Sequence, residues 1–155
     1  MPAAIGDHVE WVNVFTGRST KFRIHSGIVI NIIPRNGVEM ASIKASLTET
    51  IFREFLSRLA VQPERTPEEQ SVRRAKQDLA RKHYRFLASS TFGLDDPGYH
   101  VYSTHKTRGG LIGYIQPQDI PNFLAGDTSG FTPIDNWRYH FSVDLIERLG
   151  LPKSK

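Results

Sequence analysis

The stretch YHVYSTHKTRGGLIGYIQ, residues 99–116, combines side chains that can act on or bind a phosphodiester. A histidine exchanges protons near neutral pH, and a neighbouring lysine or arginine stabilises the charge that develops on phosphate. His100 and His105 are the candidate catalytic residues, and Lys106 and Arg108 supply the positive charge. The stretch is compatible with a small metal-independent ribonuclease, or with a basic segment that only binds.

The secondary structure that must position these histidines favours binding over catalysis. Residues two apart share one face of a strand, so Ser103 and His105 lie on one side and His100 on the other. The glycines after Arg108 are typical of a turn between two strands. We therefore expect a hairpin over residues 99–116 that separates the two histidines and carries Lys106 and Arg108 near its tip.

A second group of cations lies on a predicted helix. Thr66-Pro67-Glu68-Glu69 combines an N-cap, a proline at the first helical position and the glutamate of a capping box. The helix is expected to run to about Ala88. Its predicted buried face comprises Val72, Ala75, Leu79, His83 and Phe86. The candidate contacts to a nucleic-acid backbone are Arg73, Arg74, Lys76, Arg81 and Arg85. Such contacts give salt-sensitive affinity, whereas the alternative is a solvated face that Asp78 partly neutralises.

Composition limits the remaining classes of function. The chain has no cysteine, which excludes thiolate catalysis, cysteine-ligated zinc and iron–sulfur clusters. Twenty Lys and Arg against sixteen Asp and Glu give a net charge of +4, which is compatible with a polyanionic partner. His140 and Asp144 are one helical turn apart without a third ligand, so we expect no metal and no cofactor. The apolar run at 28–33 is too short to cross a bilayer, and with no signal-peptide pattern we expect a cytoplasmic protein without a membrane partner.

Hydrophobic periodicity divides the chain into a β part and a mixed part. Residues 6–45 alternate as strands do, and Asn36-Gly37 is a strong hairpin signal. An apolar stripe predicts a helix within residues 46–59. It consists of Ile51, Phe52, Phe55, Leu56 and Leu59. A second Thr-Pro start at Thr132 predicts a C-terminal helix that ends at Gly150. Its stripe consists of Trp137, Phe141, Leu145 and Leu149.

The segment IGDHVEWVNVFTGRSTKFRIHSGIVINIIPRNGVEMASIK resembles the small SH3-like barrels of the KOW and Tudor type. The resemblance rests on Gly6-Asp7 before a first strand and on Gly27 before an apolar strand. It implies a module that binds RNA, DNA or a peptide through loops at one end of the barrel. Trp11, Phe15 and Phe22 would supply an aromatic surface of the Tudor kind.

These observations predict an α+β protein with two regions. Residues 1–45 form an SH3-like β-module, and residues 46–155 contribute central helices, the hairpin and a C-terminal helix. We expect a non-enzymatic accessory protein that binds DNA, RNA or a nucleoprotein assembly. Two alternatives stay open: the small ribonuclease, and a protein-interaction module, such as an inhibitor or assembly subunit, that docks through Trp11 and Phe15.

Overall fold

The computed structural model describes residues 2–12, 23–46, 48–89 and 98–152, and the structural statements below concern these residues. It contains two antiparallel sheets and a long helix, so the fold is mixed α+β, as predicted. Each sheet has its own hydrophobic core.

The first sheet has five strands in the spatial order β4-β3-β2-β1-β5. The strands are β1 His8–Val12, β2 Ile24–Arg35, β3 Val38–Ala45, β4 Ile51–Phe55 and β5 Ala60–Gln62. The predicted Asn-Gly hairpin joins β2 to β3, because Asn36 and Gly37 both have positive φ (53° and 80°) and Arg35 pairs with Val38. Two successive left-handed residues match the twist of the flanking strands.

One residue of β2 is bulged, and this resets which isoleucines face inward. Val29 pairs with Ile43, but the next pair is Asn31 with Ser42, which leaves Ile30 unopposed. Val29 and Ile32 therefore both pack in the first core, while Ile30 is exposed. Regular alternation through residues 6–45 would place Ile28, Ile30 and Ile32 on one face, and the bulge moves Ile32 to the other face.

The helix predicted within residues 46–59 is absent from the described part of this segment. Strand β4 is followed by a 3₁₀ turn, Leu56–Arg58, and then by β5. Phe52, Leu56 and Leu59 pack in the first core, whereas Ile51 and Phe55 lie on the opposite, exposed face. The first sheet consequently extends to Gln62, beyond the predicted boundary at residue 45.

The second sheet has four strands in the order β6-β7-β8-β9. They are β6 Tyr84–Ser89, β7 Gly98–Ser103, β8 Gly110–Ile115 and β9 Phe131–Pro133. The helices are α1 Pro67–Arg81, α2 Ile120–Leu124 and α3 Val143–Leu149, with 3₁₀ turns at Pro117–Asp119 and Trp137–His140. The second core lies between one face of this sheet and the helices.

Two predicted helices are shorter than expected. Helix α1 ends at Arg81 rather than near Ala88, and β6 begins at Tyr84. The predicted C-terminal helix is divided into β9, a 3₁₀ turn and α3, because Asn136 adopts a positive φ of 60° and Ser142 caps a new helix. Its predicted stripe is nevertheless buried in the second core. These residues are Trp137, Phe141, Leu145 and Leu149.

Candidate nucleic-acid interface

Helix α1 begins as the sequence predicts. The hydroxyl of Thr66 accepts a hydrogen bond from the Glu69 backbone N–H at 3.2 Å, and the Glu69 carboxylate accepts one from Thr66 N–H at 3.0 Å. The hydrogen bond from the Thr66 backbone N–H stabilises the ionised carboxylate and lowers the pKa of Glu69. This capping box fixes the residue at which the helix starts. The starting residue determines the direction in which each later side chain leaves the helix axis.

Arg73 points inward, away from any phosphate backbone at the surface. Its guanidinium forms a two-pronged pair with Glu10, with Nη2 at 2.8 Å and Nε at 3.1 Å from Oε1. Nη2 also donates to Asn122 Oδ1 at 2.7 Å. Glu10 is 1% exposed, so the Arg73 charge compensates a buried carboxylate. This placement corrects the predicted surface role of Arg73.

A buried glutamine continues the same polar network. Gln77 donates from Nε2 to Glu10 Oε1 at 3.2 Å and to the Pro121 carbonyl at 3.1 Å. Asn122 Oδ1 accepts a further hydrogen bond from Gln62 Nε2 at 2.8 Å. The network joins β1, β5, α1 and α2, and therefore ties the first sheet to the second core. No pattern in the sequence identifies it, since Glu10 and Arg73 are 63 residues apart.

Arg74 and Lys76 also contact other elements. Arg74 Nη1 donates to the carbonyl of Ile24 on β2. The ammonium of Lys76 lies close to Gly126 and Gly150. A Cβ added at Gly126 would be only 2.9 Å from Lys76 Nζ. Arg74 therefore anchors the helix to the first sheet, and Lys76 lies against the turn that ends α3.

Two residues predicted on the buried face of α1 are exposed, whereas Leu79 and His83 are half-buried and Phe86 is buried on β6. Val72 is 70% exposed and Ala75 is exposed, whereas Gln77 and Ala80 are buried. Polar side chains thus make the inward contacts along the middle of this helix. The 3.6-residue periodicity detects a stripe but does not show which side the fold covers.

The hairpin over residues 99–116 is confirmed, with β7 and β8 pairing antiparallel. Its loop spans residues 104–109 and is closed by Gly109 N–H donating to the His105 carbonyl at 2.9 Å. A Cβ at Gly109 would stand 2.6 Å from that carbonyl, so only glycine fits this closure. Lys106 is exposed in the loop, as predicted.

The hairpin loop lies beside the end of helix α1. Thr104 N–H donates to the His83 carbonyl at 3.1 Å, and the Thr104 hydroxyl donates to the Lys82 carbonyl at 3.0 Å. Two cations from distant parts of the chain, Lys82 and Lys106, are thereby brought to one end of the second sheet. We call this region the hairpin-end surface. It consists of Lys82, His83, Lys106, Arg108 and Arg148.

Two cations of the hairpin-end surface, Arg148 and Lys82, act on His83. Burial lowers the pKa of His83, and the charges of Arg148 and Lys82 lower this pKa further. Arg148 Nη1 is 3.8 Å from Asp144 Oδ2. At the end of α1, Arg81 Nε is 3.6 Å from Asp78 Oδ1. Asp144 is 79% exposed and Asp78 is 47% exposed, so these pairs neutralise the cations only in part.

His105 and His140 both hydrogen-bond the backbone of Arg108 in the loop. His105 Nδ1 accepts a hydrogen bond from Arg108 N–H at 3.1 Å, and His140 Nδ1 hydrogen-bonds the Arg108 carbonyl. The Arg108 guanidinium donates to the Phe141 carbonyl at 3.2 Å and stacks over the Tyr139 ring. The structure therefore brings His140, rather than His100, close to His105.

His100 lies on the outer face of the second sheet, as the predicted alternation requires. Val101 and Ser103 are buried on the core face of β7, whereas His100 and Tyr102 are half-buried on the other face. The cation of Arg85 stacks over the Tyr102 ring at 5.7 Å. Arg85 lies on β6 and not on the predicted helix.

Trp11 is a core residue, which corrects its predicted place on an aromatic docking surface. It is 1% exposed and stacks on His25, with 5.3 Å between ring centroids. Phe52 packs edge-on against the same ring. Phe15 and Phe22 lie outside the described residues.

Within the described ranges, no group of three or more His, Asp or Glu side chains is placed to hold a metal ion. None of the helices in that part of the chain is long and apolar enough to cross a membrane. Comparison with protein-family models, curated proteins and solved structures finds no match for this chain.

Proposed function

We propose that this protein binds nucleic acid through the hairpin-end surface as a non-enzymatic accessory protein. The observation that carries the proposal is the contact of Thr104 with the backbone of Lys82 and His83. This contact joins the hairpin loop to the end of α1, so that cations from two separate segments share one surface. Lysine and arginine on such a surface contact phosphates without reading base sequence.

Two of the predicted phosphate contacts are withdrawn from this interface and others take their place. Arg73 and Arg74 are engaged with Glu10 and with Ile24. The exposed Lys82, Lys106 and Arg148 supply the phosphate contacts instead, and Arg108, which donates to the Phe141 carbonyl, holds the loop beside them. The proposed surface is therefore smaller than the predicted helix face and centred on the hairpin loop.

A salt titration of wild-type protein tests the proposal. Binding to labelled DNA and RNA, single-stranded and duplex, is followed by fluorescence anisotropy. We expect binding at about 50 mM salt and a steep loss of affinity by about 200 mM, because each phosphate contact releases counterions. Absence of binding to every one of these nucleic acids at the lower salt concentration would overturn the proposal.

We further propose that the five strands of the first sheet form an SH3-like barrel that serves as a scaffold for this surface. Two features support the assignment: the spatial strand order β4-β3-β2-β1-β5, and the 3₁₀ turn between β4 and β5. Because Trp11 is buried in this region, an aromatic docking surface of the Tudor kind has no support from this residue. An experimental structure with a different strand order would contradict the assignment.

A second candidate is metal-independent cleavage of RNA, favoured by the arrangement of His105, Arg108 and His140. His105 hydrogen-bonds the Arg108 N–H and His140 hydrogen-bonds the Arg108 carbonyl, so two groups able to exchange protons lie beside one arginine. Incubation of wild-type protein with RNA in EDTA tests it. Cleavage that disappears in both His105→Ala and His140→Ala supports the candidate, and intact RNA ends it.

A further inference from the structure

The outer face of the second sheet carries three aromatic rings on two neighbouring strands. Tyr102 and His100 are two residues apart on β7, and Tyr114 on β8 is the register partner of His100. The His100 ring centroid lies 5.0 Å from that of Tyr114 and 6.5 Å from that of Tyr102. All three side chains are half-buried, on the face opposite the second core.

Arg85 extends this group toward the hairpin loop. It is the register partner of Tyr102, and its cation stacks over that ring. Its Nε–H is buried and has no hydrogen-bond partner among the described residues. The remaining guanidinium N–H groups of Arg85 are not among the buried unpaired atoms of the described residues. We call Arg85, His100, Tyr102 and Tyr114 the ring face.

The ring face and the hairpin-end surface lie next to each other. Tyr102 is separated only by Ser103 from the hairpin loop, which begins at Thr104 and contains Lys106. A ligand that crosses both regions meets aromatic rings first and then cations. That combination is complementary to a polymer with stacked bases and a phosphate backbone.

We propose, as an inference that rests on the proposed function, that the ligand is a single-stranded nucleic acid whose bases stack on the ring face. Paired bases are stacked inside a duplex and cannot lie on a protein ring, whereas every unpaired base offers a π-face to an aromatic side chain. Tyr102 and Tyr114 are the stacking residues, and the Arg85 cation beside the Tyr102 ring adds positive charge to this face. The hairpin-end surface contacts the phosphates that follow.

Anisotropy titrations with labelled oligothymidylate and oligouridylate, and with a duplex of the same length, test this inference. Wild type is expected to bind the single strands more tightly than the duplex. Tyr114→Ala is expected to weaken single-strand binding roughly 5- to 150-fold, which is the range for loss of one stacked base. Tyr114→Phe keeps the ring and is expected to bind as wild type does.

The matched control is Ile51→Ala, which removes an exposed apolar side chain from the outer face of the other sheet. Its affinity is expected to be unchanged, and urea unfolding of each variant confirms that the fold is intact. Equal affinity for duplex and single strand, or unchanged affinity in both Tyr102→Ala and Tyr114→Ala, overturns the inference while the proposed function stands. Failure of wild type to bind any nucleic acid overturns both.

Discussion

The cations of the middle of helix α1 and those at its end differ in what they face. Arg73 and Arg74 turn inward, where they meet Glu10 and the Ile24 carbonyl. Lys82 and Lys106 are exposed at the hairpin-end surface. The same type of residue therefore stabilises the fold in one region and is available to a partner in the other. The number of positive charges along a helix does not distinguish these roles, but the position of their acceptors does.

The largest expected loss of folding stability follows from replacing Arg73, one of the two arginines that face inward. Arg73→Ala leaves the Glu10 carboxylate buried without its cation, and the free energy of unfolding is expected to fall by about 3–5 kcal/mol. Urea denaturation of the variant and of wild type measures this loss. The double variant Glu10→Gln/Arg73→Met is expected to lose less than the sum of its single changes, because neither charge is then left unpaired.

An outward lysine provides the control for this prediction. Lys82→Ala removes an exposed cation, so its free energy of unfolding is expected to stay within about 0.5 kcal/mol of the wild-type value. If Arg73→Ala unfolds at the same urea concentration as Lys82→Ala, the two groups of cations do not differ as described.

A smaller effect is expected for Arg74. Arg74→Ala removes a charged donor from the buried carbonyl of Ile24, at an expected cost of about 1–3 kcal/mol. The urea midpoint should therefore lie between those of Arg73→Ala and Lys82→Ala. A midpoint equal to that of Lys82→Ala would show that Arg74 is not an anchor between α1 and β2.

A further effect of modest size concerns the dependence of stability on pH. Burial, Arg148 and Lys82 lower the pKa of His83, and burial, Arg23 and Arg74 lower the pKa of His25. Below the ordinary histidine pKa of 6.5, the unfolded chain therefore binds more protons than the folded one. Above pH 6.5 these histidines are neutral in both states and do not make stability depend on pH. As the pH falls below 6.5, the free energy of unfolding decreases.

Urea midpoints measured at several pH values above and below 6.5 check the prediction. His83→Gln is expected to lose part of the decrease, and Lys82→Ala is expected to lose a smaller part, because the nearby positive charge is reduced. A decrease in wild type that is unchanged in His83→Gln would mean that His83 does not contribute to it.

Local signals in the sequence predicted the elements whose determinants are close together in the chain. The Asn36-Gly37 hairpin, the capping box at Thr66 and the hairpin over residues 99–116 are all confirmed. Each depends on a few neighbouring residues and on the backbone angles that they favour.

The errors arose where two periodicities fit the same residues. In β4, Ile51 and Phe55 are four apart and suggest one side of a helix, but they share the exposed face of a short strand. Phe86 is seven residues from Leu79 and fits a continued helix equally well, although the alternating burial of β6 is what the structure shows. Hydrophobic spacing over so few residues does not separate helix from strand.

The candidate site was predicted only in part, for a different physical reason. The exposure of Lys106 follows from its place in a loop, and this was predicted correctly. The burial of Arg73 depends on Glu10, which approaches it only after the first sheet has packed on α1. The meeting of Lys82 with the hairpin loop is likewise a long-range contact, and no local pattern encodes it.

A salt titration of charge variants tests the central claim most directly. Anisotropy binding of a single-stranded oligonucleotide is measured at several salt concentrations for wild type, for Lys82→Ala/Lys106→Ala and for Lys44→Ala, which removes an exposed cation from the first sheet. The slope of log K for binding against log salt concentration is expected to decrease in magnitude by about 0.7 for each lysine removed from the hairpin-end surface. Lys44→Ala is expected to keep the wild-type slope. An unchanged slope in the double variant, or an equal loss in Lys44→Ala, would contradict the account.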